Sequence, residues 1–496
     1  MLSTLNFLRM NTKKVIFSVS LLAATFLSSA QVSNDVYFAP QIAYNSLNFS
    51  QTNPVLGTAR YSGMAGAMGA LGGDASTMKD NPAGLGVYRS SDFTLTPNVS
   101  ISNNSSVGFN INNFGLILNF PNSGNRMGYV TSSLGISYNR LKNFRRNTDL
   151  TSTLDYSMTD FMGNGPSYFR RAASEVELIS FDENSQKWES LFPGESINNQ
   201  IRYIENGSIG EWNLSYGVNI SNRFYFGMSL GLVDLDYRLT AMYDEQSFDN
   251  NNLEHRWYLD NFYEATGAGF NFKFGAIAAI TDFMRVGVAL HTPTFYNIDE
   301  FILEEIGYNV FESQIYDDFF HETETFSNAN LQTPLRLQGS LGFIIEKRAV
   351  IGLEYQFENF SAMRFSTRGI LDQRSKDLIN DEMQISHTIK AGGEVKIVEG
   401  LSLRAGIAFA SAPSIKLMER VYTDPANFQA YPLAQPQGTL YYTGGIGYKN
   451  KFFYADLAYV HQVRSEKFFE YLPQEVGPYD LKLHNSNIMA TLGCRF

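Results

Sequence analysis

From Phe93 onward, apolar and polar positions alternate with a period of two in segments of about nine to fourteen residues, the length a tilted transmembrane strand needs. Trp212, Leu214, Tyr216, Val218 and Ile220 make one face apolar, while Asn213, Ser215, Gly217 and Asn219 make the other. The same alternation sets Phe270, Phe272 and Phe274 against Asn271, Lys273 and Gly275. It recurs where Leu401, Leu403, Ala405, Ile407 and Phe409 face away from Ser402, Arg404 and Gly406. A strand with one greasy face and one polar, glycine-containing face suits a wall between lipid and a lumen.

Fourteen such strands are expected, at about 91–103, 112–120, 129–142, 210–221, 223–240, 267–280, 282–296, 333–346, 348–361, 385–397, 401–411, 438–449, 451–464 and 485–496. The fold predicted is all-β, a 14-stranded antiparallel transmembrane barrel, and the number is even, as bacterial barrels require. Tight turns such as Ser221-Asn222, Thr281-Asp282, Glu346-Lys347 and Lys449-Asn450 alternate with long polar loops at 143–209, 297–332 and 412–437. Short turns belong to the periplasmic side and long loops to the outside. A soluble sandwich also alternates. Strand length, the rhythm of the loops and the one-sided C-terminus Ile488, Ala490, Leu492, Phe496 favour the barrel, whose closure satisfies every edge. A terminal Phe496 resembles the signal read by the barrel assembly machinery.

Composition removes other classes. Aromatic residues at 14% and charged residues at 18% exclude a disordered chain, and no run reaches the roughly 18 apolar residues of a membrane helix. Lys13 and Lys14, the mostly apolar run Val15–Leu27 and Ser28-Ser29-Ala30 read as a secretory leader over residues 1–30. Translation starting at Met10 would give a conventional leader. The formal charge of −11 becomes −14 without the leader, which carries Arg9, Lys13 and Lys14 and no acid, so nucleic acid is an unsuitable partner. The single cysteine, Cys494, permits no internal disulfide and no thiolate metal cluster.

Residues 31–88 lack the strand rhythm. They hold Gly57, Gly63, Gly66, Gly69, Gly72 and Gly73, then Asp80-Asn81-Pro82-Ala83-Gly84, which implies a compact, tightly turning segment able to fill a lumen. A phosphate-cradling loop is disfavoured, because no strand precedes the glycines and no Gly-Lys-Ser/Thr follows. The expected domains are the leader at 1–30, a plug at 31–88 and the barrel at 89–496.

Gly73-Asp74-Ala75-Ser76-Thr77 followed by Asn81-Pro82-Ala83-Gly84 resembles the N-terminal hatch of the FadL/TodX family, outer-membrane transporters of hydrophobic compounds. The likeness continues in Arg285-Val286-Gly287, Thr292-Pro293, Thr333-Pro334, Leu403-Arg404-Ala405-Gly406 and the closing Arg495-Phe496. The resemblance implies a fourteen-stranded barrel in the outer membrane of a Gram-negative bacterium. It also implies a hatch that shifts on ligand binding, here carried by Gly73, Asp74, Asn81, Pro82, Ala83 and Gly84, and a kinked third strand that opens the wall sideways. The chain departs from the family in the length of its hatch and in its 67-residue loop at 143–209.

The function expected is passive uptake of a hydrophobic small molecule of the long-chain fatty acid or aromatic type, with outer-membrane lipid and lipopolysaccharide as surroundings and no cofactor. Burial of each methylene gains about 0.8 kcal/mol, so capture needs no energy input. Parity places Lys273, Arg285, Arg336, Glu354, Lys390, Glu394, Arg404 and Asp456 inward. Their mixed signs favour pairing across the lumen over carboxylate recognition. Lys390 and Arg404, with Arg336, are the cationic candidates for a ligand headgroup: one of the first two pairs with Glu394 while the other meets the ligand. Three other functions compete with this reading. A barrel lipid enzyme would need a nucleophile beside a histidine, yet His255, His291, His321, His387, His461 and His484 are scattered and adjoin no such motif. A haem receptor could use the 28 tyrosines, which in barrels more often form interfacial girdles. An ungated porin conflicts with a plug. His321-Glu322 with Glu324 lies in an acidic loop and lacks further metal ligands.

Overall fold

Fourteen strands close into one antiparallel ring in the computed structural model. Described are residues 39–496 apart from 103–105, 123–127, 164–166, 193–195, 251–252, 313–314, 347, 368–369, 372, 415–432 and 470–478. The expected leader falls outside them. In chain order the strands are β1 (Asp92–Ser102), β2 (Ser106–Pro121), β3 (Tyr129–Asn143, continuing as Arg146–Leu154), β4 (Ile197–Ile220), β5 (Phe224–Phe248) and β6 (Glu254–Ala279). There follow β7 (Met284–His291 and Phe295–Glu312), β8 (Ile315–Gln332 and Arg336–Ile345), β9 (Ala349–Asn359) and β10 (Ile385–Val398). The last four are β11 (Leu401–Ser411), β12 (Leu433–Lys449), β13 (Phe453–Phe469) and β14 (Tyr479–Arg495). Closure is by β14 on β1, from Asp92 opposite Arg495 to Ser102 opposite Asn485.

The period-two pattern translates directly into burial. On β4, Trp212, Leu214 and Tyr216 are 45%, 54% and 40% exposed, whereas Asn213 and Ser215 are buried. The apolar face therefore points outward, which is the arrangement of a bilayer-facing wall. At the end of the barrel that carries Phe496, Ser221 and Asn222 both adopt positive φ, 54° and 56°, the conformation that lets a two-residue hairpin follow the strand twist.

Pro293 and Pro334 interrupt β7 and β8 at neighbouring points. Proline offers no N–H to the ladder, and the breaks are laced instead by Thr333 N to Thr294 O at 3.1 Å and Thr294 N to the Thr333 hydroxyl at 2.8 Å.

The expected long loops are corrected. Residues 297–332 form a hairpin, paired from Phe295 opposite Gln332 to Glu312 opposite Ile315. Within 143–209, Arg146–Leu154 pairs with the upper part of β4. Two helices (Thr159–Met162, Ser167–Glu175) and a small hairpin (Ile179–Asp182 with Lys187–Ser190) follow. Beyond the bilayer no lipid demands an apolar face, so the hydrophobic alternation fades although the backbone ladder continues. The expected loop at 412–437 lies largely outside the described residues.

Candidate functional site in the barrel lumen

Residues 39–88 form a chain of short elements: α1 (Ala39–Ser50), α2 (Ala59–Gly63), α3 (Thr77–Asp80) and a 3-10 turn at Pro82–Val87. Thr58 caps α2, its hydroxyl accepting from Tyr61 N at 3.1 Å. Gly72 and Gly73 reverse the chain with φ of 66° and 70°, angles that a side chain disfavours. The segment then meets an inward-facing glycine on each of ten successive strands, β2 to β11. Gly217 faces Leu85, Gly227 faces Pro82, Gly275 faces Asn81, Gly352 faces Ala67 and Gly392 faces Met64. At several of them an added Cβ would overlap backbone of the segment, so wall and segment approach at main-chain distance.

The motif residues serve this packing. Asn81 accepts from Ala83 N at 3.2 Å and donates to Gly69 O at 2.8 Å, which fixes the start of the 3-10 turn. Ala83 is fully buried against Tyr225 and Ile277. Gly84 accepts from Gly73 N at 3.2 Å, and a side chain on it would overlap Thr77. Asp74 accepts from the Thr58 hydroxyl at 2.8 Å and from Ser76 N at 2.9 Å.

Charges pin the segment to the wall. Lys390 is wholly buried, 2.7 Å from Glu354 and 3.7 Å from Asp80. Glu354 accepts from Gly69 N at 3.0 Å, and Asp80 also meets Lys79 at 3.6 Å and the Tyr61 hydroxyl. Burial lowers the Lys79 ammonium to about 8, opposed by Asp80. Burial raises the Asp80 carboxyl, but Lys79 and Lys390 outweigh it and hold the group below its ordinary range. A second chain runs from Arg60 through Glu394 to Arg404 and Asp456, with contacts of 2.9, 2.6 and 2.6 Å. Arg336 sits between Glu358 at 3.0 Å and the Thr52 hydroxyl at 2.8 Å. Of the three cationic candidates, none is idle: a headgroup reaching Lys390 or Arg404 must displace a carboxylate.

Toward the rim remote from Phe496 lies a chamber with an empty volume of about 1340 Å³, including its mouth. Leu56, Phe144, Phe360, Tyr441 and Leu483 give it apolar surface, and Lys142, Arg145, Arg146 and Arg464 with Glu205 and Glu358 give it charge of both signs. Helix α1 is tied down beside it. Phe49 packs edge-on against Phe144 and Tyr237 with ring centroids 6.2 and 5.3 Å away, and Lys142 donates to Asn48 O at 2.5 Å. Arg146 lies over the rings of Tyr203 and Phe468 and meets Glu466 at 2.5 Å.

One part of the wall is unlaced. β2 pairs with β3 only from Pro121 opposite Thr131 to Asn113 opposite Asn139, while β1 accompanies β2 up to Ser106. β3 shifts register between Arg140 and Lys142 and breaks at Phe144-Arg145. The Arg145 guanidinium bridges the opening, donating to Val107 O at 2.5 Å across Gly108. Sequence reasoning missed Lys142, Arg145, Arg146 and Arg464. The first three lie at the end of the expected third strand or in its loop, where alternation stops and parity says nothing. The inward side of Arg464 was readable from Leu457 and Tyr459. Phe496 closes the last strand, its N–H donating to Ser91 O at 3.1 Å.

The ring, its apolar outer face and its polar interior define a transmembrane β-barrel of the outer-membrane type. No family model and no curated protein matches the chain. Among solved structures, the Pseudomonas putida toluene transporter TodX superposes with a TM-score of 0.51 at 12% identity, over 89% of this chain and 99% of that one. A Pseudomonas aeruginosa FadL homologue gives 0.51 at 13% identity, over 90% and 99%. The FadL/TodX resemblance read from the glycine-rich motif thus holds for the fold of nearly the whole described chain.

Proposed function

We propose that this barrel is a passive outer-membrane channel for small hydrophobic molecules, of the long-chain fatty acid or aromatic type, and that residues 31–88 act as its gating hatch. The observation that carries the reading is the packing of the segment against a glycine on each of ten strands, at seven of them with its main chain, below a chamber with apolar and charged walls. An axial path for water and ions is thereby obstructed, while an apolar body gains about 25 cal/mol for each Å² it buries in the chamber. The unlaced stretch between β2 and β3 supplies a sideways exit into the membrane, down the ligand's own gradient. The fold shared with a toluene transporter and a FadL homologue supports the same substrate class.

The test is uptake. Cells lacking their own hydrophobic-compound channels, and expressing this chain, are expected to accumulate radiolabelled toluene or palmitate faster than cells carrying an empty vector. Equal rates at verified outer-membrane abundance would refute the proposal. Deleting residues 31–88 should raise ion conductance in planar bilayers, and an unchanged trace from a folded deletion variant would remove the hatch.

A further inference from the structure

On the outward face of the last hairpin, at the rim remote from Phe496, two imidazoles meet. His461 on β13 pairs in register with Ser486 on β14, and His484 sits two residues further along β14, opposite Val463. The His461 Nε2 and His484 Nδ1 atoms are 3.4 Å apart, and the rings stack with centroids at 5.5 Å. The other nitrogen of His461, Nδ1, lies 3.1 Å from the Ser486 hydroxyl and 3.4 Å from the Tyr459 hydroxyl. Tyr459 and Ile488, the next outward residues below, are 48% and 42% exposed and belong to the apolar belt. The pair therefore stands where the belt gives way to the polar headgroup layer.

The spacing has two chemical readings. N–H···O hydrogen bonds are normally about 2.7–3.2 Å long, and by that measure 3.4 Å between two ring nitrogens is long. Two metal–nitrogen bonds of about 2.0–2.1 Å at a tetrahedral angle separate their nitrogens by about 3.4 Å. The surroundings fit the second reading better. A hydroxyl beside Nδ1 of His461 can accept a proton carried there, and in that tautomer Nε2 is a lone pair. That is the arrangement by which an outer partner orients a metal-bound histidine. His484 is exposed, and its Nδ1 already faces the same Nε2 atom. Imidazole pairs select borderline divalent ions such as copper, nickel and zinc over calcium or magnesium, which require oxygen.

We propose that His461 and His484 chelate a divalent transition-metal ion at the outer rim, with Ser486 as the positioning residue and water completing the coordination. The ion would cross-link β13 and β14 at the end of the barrel away from the tight turns. This site is independent of the transport reading, because both side chains face away from the lumen.

The experiment uses the mature, untagged protein in detergent micelles, titrated with cupric chloride and followed by calorimetry and electron paramagnetic resonance. One saturable site per chain with hyperfine structure from two ligating nitrogens is expected. His461→Gln and His484→Gln should each weaken binding by about tenfold or more, and Ser486→Ala by up to about tenfold. His387→Gln is the control, since His387 stacks on Tyr355 at 5.9 Å, three strands away round the wall on β10, and has no imidazole partner in reach among the described residues. Equal affinity in wild type and in the His461→Gln and His484→Gln variants would overturn the proposal, as would a wild type that binds no copper. Folding of each variant is verified by its heat-modifiable gel mobility. A second measurement needs no substitution: in the wild type, copper should protect His461 and His484 from diethylpyrocarbonate while His387 stays reactive, and unprotected modification of the pair would equally reject the site.

Discussion

Gly352 on β9 faces the carbonyl oxygen of Ala67 so closely that a methyl group at position 352 would overlap it. The neighbouring strand offers the opposite case. Gly339 on β8 points outward, and a Cβ there meets nothing within 4 Å. Two glycines of similar sequence context thus have different reasons to exist: one admits the backbone of the N-terminal segment, the other leaves a depression in the bilayer-facing wall.

Gly352→Val is therefore expected to displace the segment, since overpacking costs about 1–3 kcal/mol and the wall is the stiffer partner. Planar-bilayer conductance should rise and the segment should become sensitive to added protease. Gly339→Val should match wild type in both assays. Identical traces for the two variants would mean that the segment does not seal the barrel.

The Lys390–Glu354 pair separates structural pairing from ligand recognition. Removing one partner of a buried ion pair costs about 3–5 kcal/mol, whereas replacing both by apolar groups can be neutral. Lys390→Met should lower the urea midpoint of unfolding, and Lys390→Met with Glu354→Leu should recover most of it. Loss of substrate uptake at an unchanged midpoint would show instead that Lys390 serves a headgroup.

The barrel was legible because lipid on one side and a polar lumen on the other impose a period of two on each spanning strand, as at Trp212 to Ile220. That constraint ends at the bilayer edge, which is why Arg146–Leu154 and the hairpin of 295–332 read as loops. The turn at Asn81-Pro82 was visible because its chemistry is local. What it touches was not. Gly227, Gly275 and Gly392 look like any other barrel glycine until the closed ring brings them to one level. Arg404 could be placed inward by parity, yet only the register shows that it lies opposite Glu394 and reaches Asp456.

Topology can be read with a single label. Ser185 is exposed at the tip of the small hairpin, its N–H donating to Asp182 at 3.0 Å, in the insertion at the end away from Phe496. Ser185→Cys should react with an impermeant maleimide on intact cells. Cys494, partly buried beside Phe93 near the other end, should remain unlabelled. Reaction of position 185 only after cell rupture would reverse the orientation.

Arg145 tests the sideways exit. Its guanidinium is the bridge described between the free edge of β2 and the broken end of β3, and the bond to Val107 O is solvent-exposed, so it contributes about 1 kcal/mol. If opening at this point limits delivery, removing the bond should raise the rate of passage by about fivefold, since 1.4 kcal/mol corresponds to about tenfold. Arg145→Ala is accordingly expected to speed initial uptake of labelled toluene while leaving axial ion conductance unchanged, because the glycine-lined contacts of the segment are untouched. Arg145→Lys keeps the charge but not the planar fork, and should fall between the two. An increase in conductance along with uptake would place Arg145 in the axial path, and unchanged uptake in both variants would show that the ligand leaves by another route.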